Sequence, residues 1–107
     1  MHFLVNFNIT GGIQTRVISA DSWSSCLTYC QGTGLYFRGI TDVSTATIAY
    51  NVPGTTCFQV AARNEDGINV SAYVWESNFD TLAVWIDAQN YQQVNSIQLS
   101  NNSYVIV

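Results

Sequence analysis

Phe3-Leu4-Val5-Asn6-Phe7-Asn8-Ile9-Thr10-Gly11-Gly12-Ile13-Gln14-Thr15-Arg16-Val17-Ile18-Ser19 is the stretch on which the fold turns. Phe3, Val5, Phe7 and Ile9 alternate with smaller or polar residues, Thr10-Gly11-Gly12 interrupts them, and Ile13, Thr15, Val17 and Ser19 alternate again. A period of two on either side of a glycine turn predicts a β-hairpin. The period then changes. Trp23, Cys26, Leu27 and Cys30 follow Asp21 at i, i+3, i+4 and i+7, which predicts a short amphipathic helix capped by Asp21 and ended by Gly32 and Gly34. Leu35 to Thr41 and Thr45 to Tyr50 read as a further pair of strands around the turn Asp42-Val43-Ser44.

The same succession returns later in the chain. Phe58, Val60 and Ala62 alternate, Glu65-Asp66-Gly67 supplies a turn, and Ile68, Val70, Ala72 and Val74 carry the return strand. Ser77 precedes Phe79, Leu82, Ala83 and Ile86 at helical spacing, and Asp80 makes the opening resemble a capping box. Tyr91 to Leu99 and Ser103 to Val107 form the last expected strand pair, with Ser100-Asn101-Asn102 as their turn. The expected fold class is therefore α+β: two diverged ββαββ repeats, residues 3–50 and 58–107, joined by a linker at 51–56 that contains Pro53 and Gly54. A unit of about fifty residues is marginal alone, so the two copies are expected to share one core, with residues 1–107 forming a single domain of antiparallel sheet and two short helices.

Composition narrows what such a domain can do. The apolar fraction is 48%, enough for a packed core, while only 9% of residues are charged and lysine is absent. A net charge of −4 with three isolated arginines, Arg16, Arg38 and Arg63, cannot neutralise a phosphate backbone, so nucleic acid is not an expected partner. No run approaches the roughly 18 apolar residues of a membrane span, and the opening residues lack the pattern of an export signal; no membrane is expected, and synthesis is expected in the cytoplasm. Cys26, Cys30 and Cys57 form an odd set that reads as reduced, buried thiols. The weakly charged polar surface offers little repulsion against packing on a neighbour.

No constellation for catalysis stands out. The lone histidine, His2, lies beside a terminus, where a general base is hard to hold in place. Cys26 and Cys30 could be joined with Cys57 and His2 as zinc ligands, yet cysteines four apart on a stripe with Trp23 and Leu27 read as core, so no metal or other cofactor is expected. Asp21 with Glu76, or Asp80 with Asp87, could be imagined as a hydrolytic carboxylate pair, but Asp21 reads as a cap and the helical acids as solvated. Asn64-Glu65-Asp66-Gly67 is a hairpin turn with only a superficial likeness to a calcium loop. The chain is therefore expected not to be an enzyme.

Aromatic residues make up 13% of the chain. Tyr73 and Trp75 fall on the strand face opposite Val70, Ala72 and Val74, and Trp85 lies off the Phe79/Leu82/Ala83/Ile86 stripe. These three are the expected exposed interface, with a carbohydrate platform as the competing use. Finally, the opening Phe3 to Trp23, a hairpin running into the helix start Ala20-Asp21-Ser22-Trp23, resembles small proteins of tailed bacteriophages, particularly those infecting cyanobacteria. The resemblance covers about a fifth of the chain and implies a phage source. With that source, the compact strand-rich domain, the absent catalytic set, the low charge and the outward aromatics lead to the expected function, a non-enzymatic virion component, such as a capsid decoration or cement protein or a small tail or neck accessory, bound to other virion proteins or to copies of itself. The alternative is an intracellular phage protein that binds and inhibits or redirects a host protein.

Overall fold

A computed structural model describes residues 1–53, 55–99 and 103–107. Among these residues eight strands and two helices form two compact units, residues 1–44 with 103–107, and residues 45–99. The class is α+β, built on two four-stranded sheets that are mainly antiparallel.

In the first unit, β1 (His2–Ile9) and β2 (Gly12–Ser19) form the expected hairpin, with Ile9 opposite Gly12 and His2 opposite Ser19. Gly11 takes a φ of 89°, a left-handed conformation that an L side chain rarely adopts and that this tight turn requires. Phe3, Val5 and Phe7 point to one face and are buried, as is Ile18, the partner of Phe3. The helix α1 (Trp23–Gly32) covers that face with Cys26 and Cys30. β3 (Phe37–Asp42) then pairs antiparallel with β1, with a bulge where Gly39 adopts a φ of 40°.

The second unit holds a hairpin, a helix and two further strands. β5 (Thr56–Arg63) and β6 (Asn69–Glu76) form a hairpin whose turn is fixed by Asn64, its side-chain oxygen accepting from the amides of Asp66 and Ile68 at 3.0 Å each. Leu82 and Ile86 of α2 (Phe79–Ala88) pack on Phe58, Val60, Ala62, Ala72 and Val74, and β7 (Gln92–Gln98) pairs antiparallel with β5. Each unit holds a cluster of buried apolar residues.

Several sequence expectations shift by one residue. The cap of α1 is Ser22, not Asp21: its side chain accepts from the Ser25 amide at 3.1 Å. The cap of α2 is Asn78, not Ser77, and its capping box closes through Thr81 rather than Asp80, with Asn78 Oδ1 accepting from the Thr81 amide at 2.9 Å. Both helices are also rotated about their axes. Trp23 and Phe79 are about half exposed (51% and 53%), Phe79 keeping one side of its ring tilted on Phe58 with centroids 4.8 Å apart, and Tyr29 and Trp85 pack against the clusters.

The larger correction concerns the fourth strand of each half. β3 and β4 (Thr47–Ala49) do not form a hairpin: β4 pairs parallel with β6, giving the order β4-β6-β5-β7. Likewise β8 (Ser103–Ile106) leaves β7 and pairs parallel with β2, giving β3-β1-β2-β8. Each sheet thus contains three antiparallel strands from one half of the chain and a parallel edge strand from the other. The turn expected at Ser100-Asn101-Asn102 lies outside the described residues, as does Gly54 of the expected linker.

Candidate functional site

The aromatic patch expected from the strand pattern is not a surface. Tyr73 and Trp75 are 4% and 1% exposed, because β6 is buried on both faces from Ala72 to Glu76. On the face away from α2, Trp75 lies opposite Cys57, and Tyr50 packs edge-on against its ring with centroids 5.1 Å apart. Burial, with Cys57 nearby, raises the Tyr73 phenol above its ordinary value. Trp85 is half-buried, and it packs on the second cluster and edge-on against Tyr91. Only Trp85, of the three, borders open space. The signal that distinguishes Tyr73 and Trp75 is the unbroken apolar run Ala72-Tyr73-Val74-Trp75, which marks a strand covered on both sides rather than one with a wet face.

The remaining chemical candidates are dispersed. His2 Nε2 is 3.3 Å from the Tyr104 hydroxyl, and partial burial followed by the terminal ammonium lowers the imidazole below its ordinary value. Cys26 and Cys30 are hydrogen-bonded neighbours inside the first unit, and Cys57 is buried in the second. Desolvation raises Cys26 and pushes Cys30 and Cys57 up to about 12, a condition opposite to that of a reactive or ligating thiolate. Among the described residues no three His, Cys, Asp or Glu side chains are grouped to hold a metal. Asp21, Asp80 and Asp87 are exposed, each without a catalytic neighbour among the described residues. No helix among the described residues is long and apolar enough to cross a membrane.

One concavity in the second unit combines shape with chemistry that the sequence did not advertise. Its volume is about 470 Å³, and its lining is Asn51, Val52, Glu76, Thr81, Val84, Trp85 and Ala88. Thr81, Val84, Trp85 and Ala88 stand at i, i+3, i+4 and i+7, so they form one stripe of α2, beside the Leu82/Ile86 stripe that faces the core. The helix thus presents two adjacent apolar edges, one satisfied inside and one open. Val84 is 69% exposed at the mouth. Opposite the helix, Asn51 and Val52 supply a wall, and Glu76 closes the site at the end of β6.

Glu76 is the polar centre of this site. It is 9% exposed, one of the two polar side chains among the described residues that are buried to this degree. Its Oε2 accepts from Asn51 Nδ2 across 3.5 Å, the outer limit of a hydrogen bond. Among the described residues no arginine or histidine lines the cavity. Sequence reasoning weighed Glu76 only as half of a carboxylate pair; the signal it carried was its position, an acid ending an apolar run on a strand covered on both faces. Comparison with family models, with curated proteins and with solved structures finds no match to this chain.

Proposed function

We propose that the protein is a non-enzymatic structural component of a tailed-phage particle, a capsid decoration or cement protein or a small tail or neck accessory, acting through contacts with other virion proteins. The observation that carries this reading is the open second stripe of α2, a helix edge bearing Val84, Trp85 and Ala88, with Val84 69% exposed. Solvent-facing apolar side chains gathered along one element on a weakly charged domain have the character of an interface. The dispersal of His2, the thiols and the carboxylates supports a role without catalysis, since acid–base and nucleophilic chemistry need such groups within hydrogen-bond reach of one another. The phage assignment itself rests on the resemblance of the opening hairpin and helix start.

Mass spectrometry of gradient-purified particles, with this chain quantified against the major capsid protein, tests the proposal. Near-stoichiometric presence is expected for decoration or cement, and a few copies per particle for a tail or neck position. Absence from particles combined with abundance in infected cells overturns it, leaving the host-directed binding protein in its place.

A further inference from the structure

The cavity beside α2 has a chemistry more specific than an apolar patch. Among the described residues the Glu76 side chain, 9% exposed, has one hydrogen bond, the long one from Asn51, which leaves acceptor capacity on its carboxylate unfilled by them. The group that would relieve this is a cation that brings hydrogen-bond donors of its own. The approach to Glu76 is lined by Val52, Val84, Trp85 and Ala88, which fit an aliphatic stem rather than a hydrated ion. Trp85 adds the aromatic surface best able to attract an ammonium group. A volume of about 470 Å³ lies within the range of small-ligand sites, and apolar walls around one polar centre are their usual composition.

We infer that this cavity receives a lysine side chain from a protein partner, its aliphatic stem along Val84, Trp85 and Ala88 and its ammonium group on the Glu76 carboxylate, with Asn51 holding the carboxylate in place. The inference builds on the interaction role proposed above and makes it more particular. These 107 residues contain no lysine, so a second copy of them could not supply the side chain, and the partner is taken to be a different protein.

The test is a ¹H–¹⁵N NMR titration of the full chain with three probes: Nα-acetyl-lysine N-methylamide, the nearly isosteric neutral Nα-acetyl-norleucine N-methylamide, and n-butylammonium. The lysine derivative is expected to give saturable shifts at the Trp85 indole and the amides of Thr81, Val84 and Ala88, with a dissociation constant on the order of 10 mM for so small a ligand. The norleucine derivative is expected to bind about 10-fold more weakly, the worth of a charge-assisted hydrogen bond. Glu76→Gln is expected to remove that difference, and Trp85→Leu to weaken the lysine derivative while leaving the fold intact. Equal binding of the lysine and norleucine derivatives to the native chain overturns the inference whether or not the variants fold. Shifts elsewhere on the protein, or none, overturn it too. Binding of n-butylammonium without the lysine derivative also overturns it, because the site would then accept a free amine but not a polypeptide side chain. These readings do not depend on where the chain is found in infected cells, so failure here is separable from absence in particles.

Discussion

Cys26, Cys30 and Cys57 are fully buried, and the proton on each is held by the cost of placing a thiolate in an apolar interior. The native chain is expected to resist alkylation by iodoacetamide at about pH 8, where a free thiol reacts readily. All three cysteines should be labelled once the chain is unfolded in guanidinium chloride, and intact-mass spectrometry distinguishes the two states. Labelling of Cys30 in the native protein at the denatured rate would show that its surroundings are open. His2 gives the opposite kind of dependence. Its imidazole is lowered from 6.5 in the folded chain, so below that value the unfolded chain binds the proton more tightly. Stability is expected to be insensitive to His2 above pH 6.5 and to fall as pH drops from 6.5 through the lowered folded value. His2→Gln should flatten that part of a plot of thermal midpoint against pH. At this scale the sequence was informative about identity but not about exposure. Trp85 reads as an outward residue and Trp75 as another, yet Trp75 is 1% exposed, with Tyr50 packed edge-on against its ring.

The helices show what capping contributes at the scale of an element. Each is ten residues long, too short to be stable in water without tertiary support and closed ends. Asn78 and Thr81 satisfy each other's backbone amides in α2, and Asn78→Ala removes an acceptor from the Thr81 amide. A loss of about 1 kcal/mol in unfolding free energy is expected, measured by urea denaturation, with a smaller loss for Asn78→Ser, which retains a capping oxygen. Unchanged stability in Asn78→Ala would mean that water replaces the side chain at no cost. The hairpins β1–β2 and β5–β6 and the presence of both helices were legible, because an alternating run, a glycine turn and a helical stripe each leave a periodic signature. The rotation of the helices was not: in α1 the spacing admits Trp23 or Tyr29 beside Cys26 and Cys30, and only the shape of the sheet beneath decides. The lysine-binding stripe was hidden for the same reason, since Val84 and Ala88 look like the solvent side of a helix until Glu76 and Val52 are placed opposite them.

For the molecule as a whole, the decisive fact is the exchange of edge strands. A strand of three or four residues, such as Thr47–Ala49 or Ser103–Ile106, carries too little alternation to specify its partner, so sequence proximity suggests a hairpin where the chain in fact crosses to another sheet. In the first unit β8 closes the outer edge of β2 from Arg16 to Ser19, Val105 packs on the Phe3/Val5/Phe7 cluster, and the amide of Val107 donates to the Ser19 carbonyl at 2.8 Å. Removing residues 103–107 should lower the unfolding free energy by at least ~2 kcal/mol, from several lost backbone hydrogen bonds and a lost apolar contact. An unchanged denaturation midpoint would show that β8 is dispensable. The truncated chain should also associate more readily, because the exposed edge of β2 is a template for another strand, and this can be followed by light scattering. The exchange sets an order of events during synthesis as well. Residues 45–99 emerge from the ribosome as one uninterrupted stretch holding every strand of the second sheet, whereas the first sheet begins with residue 2 and lacks its fourth strand until residue 106 has been made. The sheet that is begun first is therefore the sheet that is finished last, and until Ser103–Ile106 has been made the outer edge of β2 lacks the strand that covers it.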